Sequence, residues 1–296
     1  MVLWYWFCFK AWKPSAFSKT RLPVRYNLPL RQFTMPPMTV APVPASLLDA
    51  LSLAHASWRP ILLRGLHAVM AADPAYLPAL AVDDYLPTQG RLFAAFTLPL
   101  AQVRHVLVGE GPYPRAESAT GVCFMDGAVG TLWSATGLSK PVNRATSLRN
   151  FMKMLLVADG QLQGGDTSGA AMAPVAVAAQ QAGSGVIQTL PDLQRKMTEQ
   201  GFLLLNAALV FRAHGPPVQD ARGWLPFLQV VLEALAQQGG AALPQLVLWG
   251  KIAELIKRLP VAAMLPQVTA EHPYNLSFIG NRDMQALFGP MQLLRA

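Results

Sequence analysis

Four polar side chains stand inside or directly after runs that are otherwise apolar. Glu110 and Tyr113 follow VRHVLV in the stretch GEGPYPRAESATGVCF, Asn206 interrupts FLLLNAALV, and His272 closes MLPQVTAEH. A carboxylate in such a place can act as a general base or steady a sugar oxocarbenium ion; it can equally be a solvated loop carboxylate. An amide within LLLNAAL must find hydrogen bonds if it is buried. These come either from a neighbouring loop or from a flat ligand, such as a base edge, that matches its paired donor and acceptor. A histidine after a strand is more often structural than catalytic, and His272-Pro273 fixes an extended backbone there. Phe124 reads as a stacking platform or as core, and Leu276 lies in a polar loop with no core to enter.

The elements that would position these groups are four apolar runs of strand length, 103–109, 202–210, 243–250 and 264–272, flanked by helix-like segments at 146–160, 225–239 and 252–259. This alternation predicts an α/β protein, a three-layer α/β/α arrangement around a central, mostly parallel four-stranded sheet. Ligands of such sheets bind beyond the carboxyl ends of the strands, where the polar residues gather. A helical pattern begins at Ser46, a candidate cap, and Pro60 must break or restart it. Residues 72–100 are punctuated by proline and read as loop with short turns. Residues 160–186, rich in Gly, Ala and Gln, read as a flexible insertion in a single domain spanning 45–296.

The net charge of +8 is concentrated at one end. Lys10, Lys13, Lys19, Arg21, Arg25 and Arg31 meet no acidic residue within 1–48, which leaves a body at +2. Residues 1–44 are set aside as a disordered or non-native extension, with Met35 or Met38 as alternative starts; their basic, acid-free composition also resembles a transit peptide. Hydrophobic content of 52% supports a sizeable core. No apolar run reaches the roughly 18 residues of a membrane span. Cys8 and Cys123 are too few for a disulfide framework or an iron–sulfur cluster. A reducing, cytoplasmic setting and a monomer are expected.

The ordered motifs resemble the uracil-DNA glycosylase superfamily, above all its first family. That family's GQDPYH and GLCF correspond to GEGPYP and GVCF here, its PPSLxN to ATSLRN, and its LLLN to Leu203–Asn206. RAH and RGW recur at Arg212–His214 and Arg222–Trp224, LLWG becomes VLWG at 247–250, and HPSPLS becomes HPYNLS at 272–277. The resemblance implies a monofunctional glycosylase of base excision repair that needs neither cofactor nor metal and acts on uracil-containing DNA. It implies that Asn206 bonds the uracil edge, Phe124 stacks on the flipped base and Tyr113 rejects thymine. His272 would stabilise charge on uracil O2, Leu276 would enter the duplex, and Ser147 and Ser277 would touch phosphates.

The departures are specific. The family's water-positioning aspartate is Gly111, the histidine ending that motif is Pro114, and the Ser-Pro pair of HPSPLS is Tyr274-Asn275. Glu110 stands where the first family has glutamine and the superfamily's iron–sulfur branch has glutamate. The expectation is that Glu110 orients or deprotonates the attacking water. The alternative is a degenerate relative that binds DNA or a modified base without cleaving it. An unrelated nucleotide-binding α/β enzyme ranks below both, because GEGPYP lacks the GxGxxG spacing.

Overall fold

The computed structural model describes residues 42–163, 166–238 and 242–296. Met35, Met38, Cys8 and nearly all of the N-terminal extension lie outside the described residues. The strands are β1 (His105–Gly109), β2 (Trp133–Ser134), β3 (Gly137–Leu138), β4 (Phe202–Asn206), β5 (Gln245–Trp249) and β6 (Gln267–Ala270). The four anticipated runs become β1, β4, β5 and β6. They form one sheet in the order β4-β1-β5-β6, with every pairing parallel. β2 and β3 form a separate antiparallel pair, too short to leave a period in the sequence.

Both faces of the sheet are covered, which is why β4 and most of β1 and β5 run apolar rather than alternating, while the edge strand β6, QVTA, is only partly covered. Val106, Val108, Leu203, Leu205, Leu246 and Leu248 point into one core, built with the helices Arg59–Ala72 and Leu225–Ala236. Leu107, Phe202, Leu204, Val247 and Trp249 point into the other, with Thr146–Ala158, Leu190–Glu199 and Arg282–Phe288. The three-layer α/β/α expectation therefore holds. The chain leaves β1 for β4 on one side and later reaches β5 on the other. The two crossovers run on opposite faces, which opens a crevice at the carboxyl end of β1.

Several local readings change. The first helix starts at Ala45 behind Pro44 with no side-chain cap, so Ser46 lies inside it. Pro60 occupies the first turn of Arg59–Ala72, where a missing N–H costs nothing. The packed body begins before residue 45, since Val43 is only 6% exposed. Within 160–186, read as a flexible insertion, the structure has a helix at Gly169–Gln180. Ser168 caps it by accepting the Ala171 N–H, and Met172, Ala176 and Ala179 are buried. Glycine and glutamine had suggested flexibility, but the intervening alanines have the highest helix propensity of any residue.

Candidate active site

β1 and β4 run in register to their ends, where Gly109 pairs with Asn206. The pairing continues past them: the Ala207 N–H donates to the Gly109 carbonyl at 2.8 Å and the Ala208 N–H to the Glu110 carbonyl at 3.0 Å. Glu110 is thus fixed by its backbone one residue beyond Asn206. Asn206 is 4% exposed, yet its side-chain amide makes no hydrogen bond among the described residues. With no protein partner, its donor and acceptor are left for solvent or for a ligand that offers the matching groups. Gly109 has to be glycine. A Cβ there would overlap Cys123 Sγ and lie 3.0 Å from Asn206 Oδ1. Cys123 itself is structural, because burial pushes its thiol up to about 12.

The Glu110 side chain reaches solvent, but the surrounding protein strips much of its hydration. That desolvation raises its pKa above the ordinary glutamate value, against the opposing charge of Lys251. A carboxylate that is poorly hydrated and more basic than usual is suited to accepting a proton from water.

Phe124 has φ +68°, a left-handed conformation that costs a residue with a Cβ about 1–2 kcal/mol. The turn is held from several sides. The Thr120 hydroxyl donates to the Met125 carbonyl at 2.9 Å and accepts the Val122 N–H at 3.1 Å. The Cys123 N–H donates to the Leu204 carbonyl of β4 at 3.0 Å. The Phe124 ring is half-buried. It meets Phe151 and Trp249 near-perpendicularly, at 5.3 Å and 80° and at 5.3 Å and 76°. Among the described residues no aromatic ring stacks parallel on it. Tyr113 closes the wall, its hydroxyl donating weakly to the Phe124 carbonyl at 3.5 Å. Burial raises its pKa, and the phenol stays neutral.

His272 stands beyond the end of β6. The Tyr274 N–H donates to its Nδ1 at 3.1 Å, so Nδ1 carries the lone pair and the neutral ring carries its proton on Nε2. Desolvation lowers the pKa and favours the same neutral form. The turn at the end of β5 brings the ring in. Gly250 has φ +69°, and a Cβ on it would stand 2.9 Å from His272 Cβ.

The loop after His272 hangs from one residue of the neighbouring helix. Asn150 is fully buried, and its amide donates to the carbonyls of Pro273, Tyr274 and Asn275 at 2.7, 3.3 and 3.4 Å. Leu276 projects from this anchored backbone at 70% exposure. Ser147 lies one turn before Asn150, in the first turn of a helix with no side-chain cap and no acidic residue there, a setting that favours an anion. Ser277 is differently placed. It lies near the Glu271 carboxylate, whose pKa burial would raise but which polar contacts from the backbone, Ser277 and Asn281 hold below the usual value; Asn281 donates to that carboxylate at 2.9 Å.

No family model matches the chain. The crystal structure of the wild-type UNG from Nitratifractor salsuginis is 40% identical and aligns with a TM-score of 0.77, covering 86% of this chain and 98% of that one. This chain belongs to the uracil-DNA glycosylase superfamily. A uracil-DNA glycosylase of a Nocardioides species is 28% identical over 202 residues, 67% of this chain and 70% of its own length. One from Corynebacterium efficiens is 26% identical over 238 residues, 77% and 82% of the two chains.

Pairwise contacts through Gly109, Cys123, Trp249 and Gly250 connect Glu110, Tyr113, Phe124, Asn206 and His272 near the carboxyl ends of the strands, and Asn150 joins the helix of Ser147 to the loop of Leu276. Reading the sequence for chemistry passed over Asn150 and Thr120. Asn150 leaves a signal, an amide on the apolar face of the helix that buries Leu148, Phe151 and Met154; Thr120 leaves none. The glycosylase signature RAH turns out to be structural. Arg212 forks onto buried Asp220 at 2.7–3.2 Å and reaches Asp83 at 3.2 Å, and Tyr76 donates to Asp220 at 2.7 Å. Among the described residues no cluster of His, Cys, Asp and Glu is arranged to hold a metal, and no helix is long and apolar enough to cross a membrane.

Proposed function

We propose that this chain hydrolyses the N-glycosidic bond of uracil in DNA, as a single polypeptide and with Glu110 in place of the superfamily's usual aspartate. The observation that carries this reading is the Asn206 amide, held in a residue only 4% exposed and bonded by no protein group among the described residues, close to a half-buried Phe124 held in a strained backbone. Such a pair is prepared for a flat, hydrogen-bonding ring and is hard to explain without one. A nucleotide must leave the duplex to reach it. Phe124 then stacks on the base, Asn206 supplies donor and acceptor to its edge, and Tyr113 occupies the space a thymine methyl would need.

As the bond between C1′ and uracil N1 breaks, its electron pair leaves with the base. The Nε2–H of neutral His272 donates to the developing O2 anion; one such donor contributes on the order of 10²–10³ in rate. The sugar takes on oxocarbenium character. Water attacks C1′ and its proton passes to Glu110, a contribution on the order of 10²–10⁴. Ser147 takes a backbone phosphate, Ser277 a second one, and Leu276 fills the gap left by the base. Within the superfamily, Tyr113 and the HPYNLS loop side with the first family, whereas Glu110 is the residue of the iron–sulfur branch.

The test is uracil release from a labelled oligonucleotide carrying one uracil, for the wild type, Glu110→Gln and His272→Ala. Release that falls steeply in both variants is expected. The lack of a carboxylate at Gly111 favours one other reading, a protein that binds DNA or a modified base without cleaving it. Salt-sensitive DNA binding with no release by the wild type would establish that instead.

A further inference from the structure

Tyr274 is the only Phe, Tyr or Trp that remains exposed among the described residues, at 53%, and it stands two positions from both His272 and Leu276. Its backbone is held on both sides. Its N–H donates to His272 Nδ1 at 3.1 Å, its carbonyl accepts from Asn150 at 3.3 Å, and the turn closes with the Asn275 N–H on the His272 carbonyl at 2.9 Å. An aromatic side chain on a mobile tip would lose entropy on binding; one on a backbone this constrained loses little. No ring contact and no side-chain hydrogen bond holds the Tyr274 side chain against the protein among the described residues. A single exposed aromatic is ordinary on a surface; this one is distinguished by its place between His272 and Leu276 on a constrained turn, where bases that have lost a stacking neighbour would offer it a partner.

We propose that Tyr274 is a second DNA-contacting residue, whose ring stacks on the base next to the flipped nucleotide while Leu276 fills the gap. The inference rests on the uracil-excision reading and adds to it a source of affinity independent of the uracil pocket. Base–aromatic stacking tolerates any sequence, so the contact strengthens binding around every uracil alike. It also compensates for the phosphate grip lost with the Ser-Pro pair.

The test measures binding to a single-stranded oligonucleotide with one tetrahydrofuran abasic analogue, in two forms. In the first the flanking positions carry bases; in the second they are abasic as well. Stacking on one base predicts that Tyr274→Ser weakens binding to the first form by roughly five- to a hundredfold. Tyr274→Phe should stay within about threefold of the wild type, and all three proteins should bind the second form equally. Wild-type affinity in Tyr274→Ser overturns the proposal. So does a Tyr274→Phe defect as large as that of Tyr274→Ser, which would point to a hydroxyl–phosphate bond, or a Tyr274→Ser defect that persists without flanking bases. Uracil release by the wild type, measured alongside, separates the two levels: its absence brings down the excision reading, and its presence with any overturning result brings down the Tyr274 proposal alone.

Discussion

Replacing Glu110 with Gln and Gly111 with Asp together rewrites GEGPYP as GQDPYP and moves the carboxylate one place along the loop. Glu110→Gln alone removes the proposed proton acceptor and should lower single-turnover uracil release by about 10²–10⁴, equivalent to about 3–5 kcal/mol in the barrier. The second substitution is sterically open. A Cβ on Gly111 would meet only the Ala208 carbonyl oxygen at 3.6 Å and Ala208 Cβ at 3.7 Å, ordinary contacts, and its backbone lies outside the left-handed region. A loop glycine of this kind accepts a side chain within about 1 kcal/mol of the original stability. Gly111→Asp should therefore fold. In the Glu110→Gln background it should recover at least about tenfold of the lost rate, assayed by alkaline cleavage at the abasic product. Glu110→Gln cleaving at the wild-type rate would refute the assignment of the carboxylate. A double variant with wild-type melting behaviour that is no faster than Glu110→Gln would refute the idea that a carboxylate at either position serves the same water.

The remaining predictions use the same geometry. Asn206→Ala breaks no hydrogen bond, so chemical denaturation should show little beyond the loss of its packing while uracil release falls by about 10² or more; Asn150→Ala leaves the buried Pro273 carbonyl without this partner and should lower stability by about 1–3 kcal/mol. Gly250→Ala places a methyl against His272 at a left-handed backbone position, and should lower kcat by an order of magnitude or more with a smaller change in DNA affinity. The rate should be flat near neutrality and fall in acid, as Glu110, with its raised pKa, protonates above the ordinary glutamate value of 4.5 and His272, with its lowered pKa, protonates below 6.5. A raised carboxylate pKa favours the protonated fold, so ionising Glu110 costs stability as pH rises through 4.5 and beyond. Glu110→Gln should therefore melt above the wild type at pH 7 and level with it below pH 4.5; a variant less stable at pH 7 would contradict the desolvation argument.

The sheet could be read from the sequence because parallel strands covered on both faces leave largely apolar runs, clearest in β4 and weakest in the edge strand β6, and β1, β4, β5 and β6 all lie within the runs that predicted them. The polar exceptions to those runs led to Asn206, Glu110 and His272, since a polar group at the end of a buried strand needs either a partner or a purpose. What the sequence left hidden depends on long-range approach. Asn150 is tied to carbonyls 123 to 125 residues away, and the strain at Phe124 is invisible until Thr120 and Leu204 are seen to impose it. The helix at Gly169–Gln180 was missed for another reason: a near-uniform alanine face has almost no periodicity to detect, although it packs well against a small hairpin.

The triple bond from Asn150 also works as a caliper. Ser147 and Leu276 belong to segments far apart in the chain, but one fully buried amide clamps the helix of the first to the loop of the second, so the span between phosphate contact and wedge has one setting. In the proposed complex the protein cannot stretch to fit straight DNA. The nucleic acid must change its spacing to fit the protein, and segments that already bend or unstack easily would fit at lower cost.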